Sequence, residues 1–316
     1  MLVGGGDVSV SDSWHYLVNG VRDDPHLHMV MTTLRLPRGV VAVVVGAALG
    51  VAGCLLQSVT RNRLAETGLL GINAGAALAV VTGITFWQWE SAPALLGFAL
   101  VGALTASALI LVVAGAQRAG MSPLRLVLAG VALSATFRGA TAYLLLSEQA
   151  GYDRYRFWVL GSLSGVTLTQ LAWVAPALLV GLALTVTTAR PLGALALGDD
   201  VAAGLGHRPG RTRAAAAAAV TLLTGSAVAL CGPIAFLGLL APYLARAVTG
   251  PRLAGQLLVS GVAGAAVMLA ADVAARVVLA PYEAPVSVLL AAVGGPLLIV
   301  VVRTRRMFTL RPGGNA

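Results

Sequence analysis

Apolar runs recur along the chain, separated by short polar stretches that often carry arginine. Nine runs can be delimited, at 39–57, 69–86, 92–115, 124–147, 166–188, 214–232, 234–249, 255–272 and 284–302. A hydrocarbon core about 30 Å thick needs about 20 mostly apolar residues to be crossed as a helix. The pattern therefore predicts an all-α polytopic membrane bundle of nine transmembrane helices. The seventh run is short, follows Pro233 and contains Pro242, which predicts a broken or kinked helix. Pro281 and Pro285 mark an irregular approach to the last run.

Composition narrows the class. Of 316 residues, 58% are hydrophobic and 10% are charged, whereas a soluble domain carries about 25% charge. A soluble enzyme is excluded on that ground. The net charge of +9 does not point to nucleic acid, because it is sparse and lies between apolar blocks. The 38 glycines suit close helix packing in lipid. Cys54 and Cys231 lie in or at the end of apolar runs and read as small core residues, not as a disulfide or metal pair.

The arginines orient the bundle. All 21 basic residues are Arg, and fourteen fall in the loops 58–68, 116–125, 189–213, 246–253 and 303–316. Six fall in 1–38, 148–165 and 273–283. The first set is expected in the cytoplasm. That leaves 1–38 as an extracytoplasmic segment, 39–303 as the membrane domain and 304–316 as a cytoplasmic tail. Residues 1–20 show no signal peptide pattern. The largest inner loop, 189–213, contains a helix-like core between Pro191 and Pro209, where Asp199 and Asp200 could cap or start a short helix. It reads either as a solvated connector or as a docking surface.

Candidate chemistry is sparse. The chain contains no GxxxxGK[ST], HExxH or GxSxG motif. The four histidines all fall outside the apolar runs, and the pair His26 and His28 reads as surface. No metal site, cofactor or catalytic residue is expected. Asp272 ends the eighth run and Glu283 precedes the ninth, so no carboxylate lies clearly at mid-membrane, where ion-driven carriers place them. Arg138 is the one charge inside a run. It either meets an anionic cargo in a wet cavity or snorkels and pairs with backbone carbonyls.

Ordered motifs then carry a resemblance. RLPR (35–38), an apolar helix ending in Gln57, NRLAETGLLGINAGA (62–76), LAGVALS (128–134), FWVLGSLSG (157–165), LALGDDVAAGLG (195–206), GPIAFLGLLAPYLAR (232–246), ADVAAR (271–276) and PYEAPVSVLLAAVGGP (281–296) appear in sequence. The chain resembles the permease subunits of binding-protein-dependent ABC importers for iron–siderophores, haem and vitamin B12. That family implies ten helices with both termini inside. This chain matches from the second helix onward, so its first helix is expected to be missing through a late-called start.

The resemblance also implies roles. Arg35, Arg38 and Arg276 would dock carboxylates of an extracytoplasmic binding protein or lipoprotein, a task suited to the guanidinium fork. Gly198, Asp199, Asp200, Ala203 and Gly206 would couple to cytoplasmic ATPase subunits. Asn62 and Leu64 would belong to a cytoplasmic gate. The fourth and ninth runs, with Ser134 and Arg138 on the fourth, would line a pathway between two permease copies, identical or paralogous. Two ATPases and one binding protein complete the implied assembly. The expected cargo is a ferric siderophore, then haem or cobalamin; a secondary transporter is the rival of a different class. Departures from the family pattern are Arg63 and Thr67 where Pro is usual, Tyr243 where His is common, and Ala284 and Ser287 in place of Leu and Gly.

Overall fold

The computed structural model describes residues 10–19, 25–89, 91–115, 122–147, 152, 155–156, 158–278 and 283–303. The tail at 304–316 and Pro281 lie outside these. Each apolar run becomes one helix: α3 (Leu36–Thr60), α4 (Ile72–Trp87), α5 (Ala92–Gly115), α6 (Pro123–Ser147), α7 (Leu168–Leu195), α9 (Pro209–Cys231), α10 (Leu237–Thr249), α11 (Leu253–Val278) and α12 (Val286–Arg303). Between α7 and α9 lies the short α8 (Asp199–Gly204), and before α3 come α1 (Val10–Asn19) and α2 (Pro25–Met29). No strand occurs among the described residues. His15, His26 and His28, expected in loops, sit on α1 and α2.

Among the described residues, six helices are long and apolar enough to cross a membrane, and α4, α10 and part of α12 form a shorter class. The 13 residues of α10 reach only about 20 Å at 1.5 Å per residue. Irregular backbone precedes it. Gly232 turns the chain at φ 73° and Phe236 stands in the left-handed region at φ 65°. Such backbone survives at membrane depth only if protein satisfies it. Here a Glu66 oxygen accepts the Phe236 N–H at 3.0 Å. The break expected around Pro233 and Pro242 is present, with Pro242 itself inside α10.

The hub is α3, packed against α11, α9 and α10. Small residues permit this. A Cβ on Gly53 would lie 1.7 Å from the Gly238 oxygen, so α3 and α10 touch backbone to backbone. Cys54 and Cys231 are buried, unbridged thiols in this core.

Helix ends differ from the expected runs for local reasons. Thr167 and Gln170 form a reciprocal capping box that starts α7, which continues through Pro176 and Pro191 to Leu195. Pro209 opens α9 at its first position, five residues before the expected run. The eighth run was expected to end at Asp272, but α11 continues to Val278 and Asp272 lies well inside it. Asp272 and Arg276 look like a polar boundary in the sequence, but both are buried within the helix.

Candidate functional site: arginine clusters at the two ends of α3

At the outer end of the bundle, the end that the arginine distribution assigns to the outside, Arg38 reaches across the bundle. Its Nε donates to Asp272 Oδ1 at 2.8 Å. Its Nη1 donates to both oxygens of Glu283, at 2.8 and 3.0 Å. Arg276, one turn beyond Asp272, donates to the other Asp272 oxygen. Ser164, in the segment linking α6 to α7, donates to Glu283. Asp272 is fully buried, while Arg38 and Arg276 are only 9% and 7% exposed. Burial alone would raise the Glu283 carboxyl, but hydrogen bonds from Ser164 and Arg38 hold it below its usual range. Arg35 is buried too and donates to Ser13 of α1. The three arginines expected to dock a partner are therefore not presented as open forks. Two are engaged by carboxylates of this chain, and the third by a serine.

This cluster ties together segments far apart in sequence. The Ser287 hydroxyl donates to the Leu160 carbonyl, and the Ala284 N–H donates to Ala275 at 3.1 Å. The departure to Ser287 thus has a visible use: it pins the outer connector to the start of α12.

At the inner end, Asp199 is the focus. It begins α8 but does not cap it; the N-cap is Gly198, whose φ of 124° favours glycine. The Asp199 carboxylate instead receives Arg61 at 2.6 Å and Arg213 at 2.7 Å. Hydrogen bonding from Arg213, with the Arg61 charge, holds its carboxyl below the usual range. Arg61 also donates to the Leu195 carbonyl at 2.6 Å. The N-terminal end of α8 is thereby fixed to the bundle, and beyond its other end Gly206 turns the chain at φ 82°. Ala202 points inward, while Ala203, Asp200 and the apolar Leu197, Val201 and Leu205 are exposed.

The loop after α3 folds locally. Asn62 Oδ1 accepts the Leu64 N–H at 2.9 Å, and the Asn62 carbonyl accepts the Ala65 N–H at 3.1 Å. Leu64 is 41% exposed. Gln57, at the foot of α3, accepts from Arg246 and donates to the Ala65 carbonyl at 3.4 Å. Two expected pathway residues diverge. Ser134 is buried, its Oγ facing Gly71, whereas Arg138 lies on the exposed face of α6 with Leu124, Leu128 and Val131. Glu66 and Gln57 were not foreseen as structural pivots. Among the described residues, no group of three His, Cys, Asp or Glu side chains could hold a metal.

Among the described residues, an all-helical apolar bundle with a broken helix, a short exposed helix tethered at one end and a charge cluster at the other fits a membrane transport subunit. The family model described as the FecCD transport family matches residues 1–304, and the chain belongs to that family. It is 43% identical over 277 residues to the ferric enterobactin transport system permease protein FepD of Escherichia coli, covering 87% of this chain and 82% of that protein. It is 37% identical over 276 residues to the probable siderophore transport system permease protein YfiZ of Bacillus subtilis, covering 87% and 83%. Its backbone is similar to an inward-facing ABC transporter described as of the metal-chelate type, with TM-score 0.81, 28% identity and 90% of each chain covered. The chain is a multi-pass ABC-importer permease of the cytoplasmic membrane.

Proposed function

We propose that this permease carries a ferric siderophore, delivered by an extracytoplasmic binding protein and driven by separate ATPase subunits. The observation that carries the cargo class is the 43% identity to the ferric enterobactin permease along most of the chain. The permease itself does no chemistry: ATP hydrolysis belongs to partners that bias alternating access through differential contacts. The exposed apolar face of α8, with Ala203, Val201 and Leu205 between Gly198 and Gly206, suits close contact with an ATPase. Two copies, or this chain and a paralogue, would meet across the exposed face of α6 that carries Arg138. Ser134, buried against Gly71, contributes to the path by holding α6 on α4. Asn62 and Leu64 form part of the inner gate.

Docking of the binding protein at Arg35, Arg38 and Arg276 takes an altered form. A partner carboxylate must compete with Glu283 for Arg38, because Glu283 already occupies that fork. The test is reconstitution with the cognate ATPase and binding protein. Radiolabelled ferric siderophore should accumulate in vesicles only when ATP is supplied. Binding of haem or cobalamin, and no ferric siderophore, by that binding protein would replace the cargo. Uptake driven by an ion gradient without ATP would replace the mechanism.

A further inference from the structure

Phe236 is held in a conformation that its side chain disfavours. Its φ is 65° and its ψ −25°, and it stands immediately before α10, at the break in that helix. A bulky residue with positive φ is an outlier that survives only where its surroundings fix it. Two contacts do so here. The Glu66 carboxyl accepts the Phe236 N–H at 3.0 Å. The Phe236 side chain seats on α12, where a Cβ built on Gly294 would lie 2.6 Å from the Phe236 Cβ and 2.8 Å from its Cγ. A larger residue at 294 would strike that side chain.

Glu66 belongs to the segment that carries Asn62 and Leu64, and this segment grips α10 at both ends. Next to Glu66, Thr67 is buried, its Cγ2 3.2 Å from where a Cβ on Gly238 would stand. The family departure at Thr67 thus packs on the first turn of α10. Near the other end of α10, Arg246 donates to Gln57, and Gln57 donates to the Ala65 carbonyl at 3.4 Å.

We infer that Glu66 and Phe236 are positioning residues for transport, a latch through which the 62–66 segment and α12 move together. Moving that segment either carries Phe236 with it or breaks the hydrogen bond. A broken bond leaves a backbone N–H without its acceptor, which is costly away from water. It also removes what opposes the relaxation of Phe236 to negative φ, and the side chain then leaves Gly294. The latch therefore has two discrete arrangements, the property that coupling between distant elements requires. The inference rests on the reading of Asn62 and Leu64 as part of the inner gate, and it adds that gate's link to a helix of the pathway.

The complex reconstituted with its ATPase and binding protein tests this. Cys54 and Cys231 are buried, so a thiol reagent reports on an introduced cysteine. Leu64→Cys and Val293→Cys, at exposed positions on the loop and on α12, should change labelling rate in step when ATP is added. With Glu66→Ala in the same chain, Val293→Cys should lose that response while Leu64→Cys keeps its own. Cargo taken up per ATP should fall about tenfold, the factor that one buried hydrogen bond can supply. Glu66→Gln, whose amide oxygen still accepts the Phe236 N–H, should restore it. Phe236→Gly should resemble Glu66→Ala, and the double variant should be no worse than either alone, because both cut one link. Labelling that stays in step in Glu66→Ala overturns the latch alone. A Leu64→Cys rate that ignores ATP in the otherwise unaltered chain overturns the gate reading and the latch with it. Equal losses of uptake and of thermal midpoint in Glu66→Gln and Glu66→Ala would make Glu66 merely structural and also overturn the proposal.

Discussion

At the outer end of α3, Arg38 and Arg276 face Asp272 and Glu283, and the acids match the arginines inside one buried knot. At the inner end, Arg61 and Arg213 converge on Asp199. The positive-inside trend explains why arginine abounds at the inner end. The difference separates two uses of one residue type. The outer end spends its charges on itself and so joins α3, α11 and the connectors at Ser164 and Glu283. The inner end gathers two arginines on one partly exposed acid, Asp199, at the start of an exposed helix.

The strongest way to break the outer knot is to remove the acid that both arginines share. In Asp272→Asn, Arg38 and Arg276 stay buried and lose their common anion. Breaking a buried pair by removing one partner costs about 3–5 kcal/mol, so the purified protein should show a large fall in thermal midpoint or fail to accumulate. A midpoint within a degree or two of the parent would mean that water reaches the knot and screens it. The corresponding inner change, Asp199→Asn, should cost much less, because that carboxylate is 43% exposed and exposed pairs are worth about 0–1 kcal/mol. Its effect belongs to transport: α8 loses its tether to Arg61 and Arg213, so ATP hydrolysis should continue while uptake per ATP falls. Uptake that stays tightly coupled would separate Asp199 from the positioning of α8.

Glu283 sharpens the contrast further. It is the partly exposed member of the outer knot and the one a docking carboxylate could displace from Arg38. Glu283→Gln removes that internal competitor while keeping hydrogen-bonding capacity. The expected outcome is tighter docking of the binding protein at low salt, by a few fold, with a modest loss of stability in the permease alone. Weaker docking would show that Glu283 orders Arg38 for its partner instead of competing with it.

Much of the architecture could be read from the chain. Each of the nine apolar runs corresponds to a helix among the described residues, six of them of membrane-spanning length, and Pro233 with Pro242 marked the broken one. Asp199 and Asp200 between Pro191 and Pro209 marked α8. What local pattern could not carry were pairings between residues 138, 234 and 245 positions apart, namely Arg61 with Asp199, Arg38 with Asp272, and Arg38 with Glu283. Arg38 and Arg276 were legible as unusual outer arginines, but the acids that occupy them appeared only as a run's end and a run's approach. Glu66 is the clearest omission. Nothing near it in sequence indicates that it satisfies the Phe236 N–H, 170 residues away.

The smallest effect expected is that of pH, and it tests whether each cluster behaves as a set of permanent charges. Glu283 and Asp199 both have folded-state carboxyls held below their ordinary values. A lowered carboxylate stabilises the fold fully above its unfolded pKa, about 4, and that contribution disappears as pH falls through the lower folded value. Between pH 8 and about 5.5 neither acid should take up a proton, so neither contributes a pH slope in that window. The check is the stability difference between the parent and Asp199→Asn across pH. It should stay constant down to about pH 5 and shrink below pH 4, as the parent's own carboxylate protonates and comes to resemble the amide. A difference already shrinking between pH 7 and 6 would mean that Asp199 is protonated in the folded protein near neutrality, which its two arginine partners oppose. The inner tether would then be a pH-sensitive contact, and the electrostatic contrast between the two ends of α3 would change within the physiological range.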